Sequence, residues 1–280
     1  MSMFSHGKKK VRSDTYVMET TLLEWSSKNT VLRGIMCTPE HPSFEGVLLL
    51  SGFQRAATTA PKMKLFADRL GEVGIPSFRF DYTGYGISDG SAEDTTLTRM
   101  ISDAESACVL FRQQGIKMIH IFAHSIGGAV TASMFQKDPS LFGKIVLLAP
   151  GLNMKDLIRF QIMRYIKKGK EYVPSWADTL RTPDTIRGAL QFMGDGIQLR
   201  DGYIKKQFFL ELLTQDVTHA FDGFEDRILH VYGDHDDLIP IESIPKVFPH
   251  TILVSGGDHE LEEKKMKDQW FESCIHFLMP

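Results

Sequence analysis

Residues 121–128 read Ile121-Phe122-Ala123-His124-Ser125-Ile126-Gly127-Gly128. They lead from a short β-rich stretch, Lys117 to Ala123, into an apolar run with helical spacing over 126–137. A sharp turn from strand to helix forces the serine between them into a strained backbone conformation and lifts its hydroxyl above the sheet. Such a turn needs small residues two before and two after the serine. Ala123 and Gly127 meet that need. The helix would then aim its N-terminus at the hydroxyl, where unpaired N–H groups favour developing negative charge. A plainer reading has Ser125 only capping the helix that begins at Ile126.

Strands and helices alternate on both sides of this segment. Gly46 to Leu50 is a short continuous apolar run, the pattern of a strand buried on both faces. A helix is expected over 61–73, with Pro61 at its favoured first position. A strand follows over 75–81, a helix over 95–114 capped by Thr95 or Thr96, and a strand over 144–149. Upstream, 15–25 and 30–38 read as β-rich segments joined by a turn at Lys28-Asn29. The fold class is therefore α/β: a mostly parallel sheet with helices on both faces and right-handed crossovers. The alternation stops at Pro150-Gly151. Residues 151–222 have helical propensity and no good strand, so an inserted helical cap is expected there, within a single domain of residues 1–280. The rhythm resumes with a strand over 227–233, a helix near 241–247, a strand over 251–255 and a helix over 261–278.

A serine nucleophile needs a base, and the base needs an orienting group. In a parallel sheet both come from loops at the strand C-termini. The loop after 227–232 reads Gly233-Asp234-His235-Asp236-Asp237-Leu238-Ile239-Pro240, and that after 251–255 reads Gly256-Gly257-Asp258-His259-Glu260. His259 is the histidine that directly follows a late strand. Asp236 is the acid chosen by the Gly-x-x-Asp-x-x-Ile-Pro spacing, with Asp234 and Asp237 as competitors. His124 lies beside the serine but is expected to point away from it. The loop after the 46–50 strand, Ser51-Gly52-Phe53-Gln54-Arg55, offers the Phe53 N–H as one oxyanion donor, and Ile126 offers the other. The Asp-His clusters lack the helical or paired-cysteine spacing of a metal site, so no metal is expected.

Bulk properties narrow the class further. Hydrophobic residues make up 42% of the 280 positions and charged residues 24%, which suits a globular chain with a large core. A net charge of −3 argues against a nucleic-acid partner. The run Lys8-Lys9-Lys10 is read as part of a flexible basic tail over 1–13. Cys37, Cys108 and Cys274 are too scattered for a disulfide framework and suit a reducing compartment, so a cytoplasmic location is expected. No apolar stretch is long enough for a spanning helix, and none follows the lysines as in a secretory leader.

The segment Arg79-Phe80-Asp81-Tyr82-Thr83-Gly84-Tyr85-Gly86-Ile87-Ser88-Asp89-Gly90 resembles the Asp-x-x-Gly-x-Gly-x-Ser-x-Gly loop of α/β-hydrolases. With 124–128, 233–240 and 257–259 the likeness covers nearly the whole chain. It is most similar to small bacterial serine esterases of the cinnamoyl and feruloyl type, neighbours of monoacylglycerol lipases and serine aminopeptidase-like hydrolases. Leu199-Arg200-Asp201-Gly202-Tyr203 also resembles their lid. Ser51-Gly52 stands where the family often has His-Gly, and Ala123 where it has glycine. The resemblance implies an eight-stranded sheet, an inserted cap and cofactor-free hydrolysis of a small-molecule ester bearing an acyl or aryl group. Ser125, His259 and Asp236 would be its triad. A thioesterase or acyltransferase using that triad, and a silent ligand-binding protein on the same fold, are the competing expectations. Cap aromatics (Phe160, Tyr165, Tyr172, Trp176, Phe192, Tyr203, Phe208, Phe209) would line a pocket or form the cap's own core. Cap cations (Arg159, Arg164, Lys167, Lys168, Lys170) would attract an anion or face water.

Overall fold

The computed structural model describes residues 4–12, 17–167, 175–181, 190, 194–199, 202–244 and 248–279. Strands β1 (Phe4–Arg12), β2 (Val17–Ser27), β3 (Thr30–Pro39), β4 (Glu45–Leu50), β5 (Ser77–Phe80), β6 (Met118–His124), β7 (Phe142–Leu148), β10 (Ile228–Gly233) and β11 (His250–Val254) form one sheet. Its order is β1-β2-β3-β5-β4-β6-β7-β10-β11. The pairings among β5, β4, β6, β7, β10 and β11 are parallel, and those of β1, β2 and β3 are antiparallel.

The central strands β4, β6 and β10 are near-continuously apolar because they are buried on both faces. Along β4, Leu48 and Leu50 join one core while Val47 and Leu49 join the other. The first core packs under α2 (Leu97–Gln113) and α3 (Ile126–Lys137). The second packs under α1 (Pro61–Glu72) and α7 (Lys264–Leu278). Pro61 does open α1, and Thr96 settles the cap of α2: its Oγ1 accepts from the Arg99 N–H at 3.0 Å.

Two expectations at the N-terminus need correction. The sheet has nine strands instead of eight, and the extra one comes from the stretch expected to be a flexible tail. Residues 4–12 pair antiparallel with β2, with a register shift between His6 and Lys8. Backbone pairing at an edge does not require an apolar side-chain pattern, so the lysine run concealed the strand.

Between β7 and β10 the cap comprises α4 (Met154–Lys167), α5 (Trp176–Arg181), the hairpin β8 (Gly196–Leu199) and β9 (Gly202–Lys205), and α6 (Lys206–Leu212). The expectation of a strandless cap is therefore wrong at 196–205, where two four-residue strands pair. Phe160, Trp176, Phe208 and Phe209 are buried in the same core as α2 and α3. Tyr172, Phe192, Arg200, Asp201, Lys168 and Lys170 lie outside the described residues, as do the side chains of Tyr165 and Lys167. The helix expected near 241–247 is a single 3₁₀ turn, Ile241–Ser243, with 245–247 outside the described residues.

Candidate active site

Strand order brings the candidate residues together. From β4 the chain crosses to β5 on one side, while β6 lies on the other, so the crevice of an open α/β sheet opens at the ends of β4 and β6. Leu50 pairs with Ala123, which places Ser51-Gly52-Phe53 alongside His124-Ser125. Farther along the same rim, Gly233 pairs with Val254, so the loops carrying Asp236 and His259 leave the sheet side by side. His235 N–H donates to Gly257 O at 2.9 Å and ties the two loops together.

Ser125 sits at φ 57°, ψ −123°. A non-glycine residue held there stores about 1–3 kcal/mol of strain. The surroundings enforce the turn. A methyl group at Gly127 would lie 2.9 Å from Leu50 O, and one at Gly128 would lie 2.7 Å from Pro150 Cβ. Ala123 is fully buried without crowding the turn. The capping alternative fails, because Ser125 makes no side-chain cap bond to α3. Its Oγ instead lies 2.9 Å from His259 Nε2.

His259 Nδ1 lies 2.8 Å from Asp236 Oδ2. Asp236 is buried, and its other oxygen accepts the N–H groups of Leu238 and Ile239, both at 2.8 Å. Three hydrogen bonds thus fix one carboxylate in one orientation. The competitors are placed elsewhere. Asp234 bonds His235 Nδ1 and the Gly256 N–H, which hold its carboxyl below the usual range. The Asp237 side chain is 86% exposed, too open to the solvent to orient a base.

Ile126 is the first residue of α3, so its N–H has no intrahelical acceptor. Gly52 packs against the nucleophile: a methyl group there would meet Ser125 Cβ at 3.2 Å. The next peptide carries the Phe53 N–H. The Phe53 ring stacks on Phe208 of α6, with centroids 4.6 Å apart. Asp81 ties the chain between β4 and α1 to the loop after β5, accepting from Thr58 N and Oγ1 and from Ile87 N.

His124 has a partner the sequence did not reveal. Its Nε2 donates to the backbone oxygen of His259 at 2.9 Å. Burial, aided by the charge of Lys62, drives its pKa well below the ordinary value, so the ring is neutral. On the cap, Arg159 does not face water: it is buried, bonding Asp156 and Thr179 O. Arg164 donates to Asp237 O and lies over the Phe160 ring. Among the described residues, no group of three or more His, Cys, Asp or Glu side chains is placed to hold a metal ion.

A mostly parallel sheet, a strained serine turn and the Asp-His pair on the same rim define the α/β-hydrolase class. The chain belongs to the serine aminopeptidase S33 family, whose model matches residues 45–252. Solved structures share the fold at low identity. Est1E from Butyrivibrio proteoclasticus, with ferulic acid bound, superposes with a TM-score of 0.68 at 18% identity, covering 91% of this chain and 95% of that one. The mouse alpha/beta hydrolase domain-containing protein 10 gives 0.66 at 14%, covering 98% of each chain. The monoacylglycerol lipase of Paleococcus ferrophilus gives 0.60 at 15%, covering 88% of this chain and 98% of that one. No curated protein matches the sequence.

Proposed function

We propose that the protein is a serine hydrolase that cleaves a carboxylic ester through an acyl-enzyme intermediate. The observation that carries this reading is the unbroken path from Ser125 Oγ to His259 Nε2 at 2.9 Å and from His259 Nδ1 to Asp236 at 2.8 Å. His259 takes the Ser125 proton as Oγ attacks the carbonyl carbon. The tetrahedral oxyanion is held by the N–H groups of Phe53 and Ile126, each worth roughly 3–4 kcal/mol. The imidazolium then protonates the leaving alcohol. Water, deprotonated by the same histidine, releases the acid and restores the serine. Asp236 keeps the proton on Nδ1 throughout.

The substrate class is a small ester with an acyl or aryl group; the Phe53–Phe208 stack lies at the oxyanion loop. The three cysteines are all free and buried, which supports a reducing cytoplasmic setting. Among the described residues no helix is long and apolar enough to cross a membrane. Purified protein should be labelled by a fluorophosphonate at Ser125 and should hydrolyse p-nitrophenyl acetate. Ester turnover unchanged in S125A would refute the assignment. Matched ester, thioester and amide substrates then define the bond cleaved, the amide arm addressing the peptidase chemistry in the family's name.

A further inference from the structure

Beside the oxyanion loop lies a cavity of about 570 Å³, lined by that loop, the start of α1 and the chain beyond His259. His124 reaches it, whereas Ser125, Asp236 and His259 do not line it. In its wall stands Lys62, with only 2% of its side chain exposed. Lysine is rarely buried unless its ammonium is needed where it lies. Lys62 Nζ donates to the backbone oxygen of Glu260 at 2.6 Å. The Glu260 and Glu262 carboxylates are 3.4 and 3.8 Å away. Arg55 holds the Glu260 carboxylate from its other side at 2.9 Å.

Two successive carbonyls of the base loop are therefore gripped by side chains from two other elements. His124, at the end of β6, takes the oxygen of residue 259, and Lys62, from α1, takes that of residue 260. We propose that Lys62 is a positioning residue for the general base, its ammonium clamping the peptide after His259 so that the imidazole meets Ser125 Oγ. The proposal rests on the reading of Ser125 and His259 as nucleophile and base. The clamp is strongest with the protonated amine: a neutral amine keeps N–H donors but loses the charge that pairs it with the Glu260 and Glu262 carboxylates. The groups facing the ammonium are Glu260 and Glu262 from the base loop, Arg55 from the oxyanion loop and His124 from β6. Burial lowers the pKa of Lys62, and the two glutamates only partly offset it.

Two effects of rising pH then run in opposite directions. Loss of the Lys62 proton weakens the clamp and lowers kcat. It also relieves the cost of burying a charge, because the unfolded chain keeps its proton to higher pH than the folded one, so this group's effect on stability is favourable there. A lysine with only a structural role would not set an alkaline limit on kcat.

The test compares wild type, K62M and K62R in p-nitrophenyl acetate hydrolysis over pH, with melting temperatures and fluorophosphonate labelling rates. K62M should lose about 10²-fold in kcat, the cost of a displaced catalytic group, with KM little changed and Ser125 labelling slowed in parallel. K62R should restore much of kcat and move its alkaline limb upward, because guanidinium keeps its proton. K62M with wild-type kcat, or K62R with an unmoved alkaline limb, overturns the proposal. If K62M does not fold, the K62R profile decides alone. Wild-type protein that neither turns over the ester nor is labelled at Ser125 overturns the triad reading, and the proposal with it. Active, labelled wild type with indifferent Lys62 variants sinks the proposal alone.

Discussion

The rim of the sheet and the cap above it are held in different ways. On the rim, backbone groups do most of the positioning. Ser125 is fixed by its own dihedral angles and by the Leu50–Ala123 register, and Asp236 by two peptide N–H groups. The cap reaches the rim through side chains. Gln161 donates to Leu238 O at 2.7 Å, Arg164 to Asp237 O, and Phe208 stacks on Phe53. Backbone constraints are shared by every residue of the element and survive most substitutions. Side-chain contacts can be lost one at a time. The rim should thus carry the chemistry and give large, selective losses, whereas the cap should give graded ones.

The largest expected effect tests the rim. D236N should lower kcat by about 10⁴-fold, because the amide favours the wrong imidazole tautomer. D234N and D237N should stay close to wild type, as neither carboxylate contacts His259. Equal losses in all three variants, measured by ester hydrolysis, would mean that the loop's total charge matters and not one oriented oxygen. Next comes Trp270 of α7. It is fully buried, stacks with Phe66 and Phe122, and donates its indole N–H to Leu261 O at 3.2 Å. W270A should cost about 3–5 kcal/mol in denaturant unfolding. It should also reduce activity beyond the loss of folded protein, because Leu261 lies two residues after the base.

A third expectation concerns pH. His230 lies in β10, the strand that delivers Asp236, fully buried and stacked on Phe248 at 3.7 Å. Burial lowers its pKa to about 3. Its neutral form fits the core, so the folded state binds that proton less readily than the unfolded chain. The contribution is complete above the ordinary histidine value near 6.5 and is lost as pH falls toward 3, at about 1.4 kcal/mol per pH unit. H230F should flatten this acid limb of stability. An unchanged limb would place the sensitive groups elsewhere.

Much of the rim was legible in the sequence because steric and topological rules act over short distances there. Ala123-His-Ser-Ile-Gly127 allows few turns, and Ser, Asp and His each follow a strand that the apolar runs expose. Lys62 was not legible. A lysine just after a helix-starting proline reads as solvated until the packing of α1 against 260–262 is known. The β8–β9 hairpin was missed for a related reason: four-residue strands show too little alternation, and their pairing supplies the missing order. The basic β1 was hidden because an edge strand is selected by backbone bonds, which lysines do not prevent.

The smallest expected effect decides how far the cap takes part in chemistry. Phe208 is buried, touching Phe209 edge-on at 5.4 Å and stacking on Phe53. An aromatic pair of this kind is worth about 0.5–1.5 kcal/mol beyond its area. If the stack only fills the cap core, F208L should lower stability and leave kcat/KM per folded molecule intact. If it holds the Phe53 peptide at the oxyanion position, F208L should reduce kcat by roughly 2- to 13-fold, the same energy expressed at the transition state. F160L, at the Phe160–Trp176 contact inside the cap, supplies the comparison, because its described route to the catalytic loops runs through Arg164 to the acid loop and not to the oxyanion loop. A kcat loss in F208L that F160L lacks would make the cap a part of the oxyanion apparatus. Equal behaviour would confine catalysis to the rim.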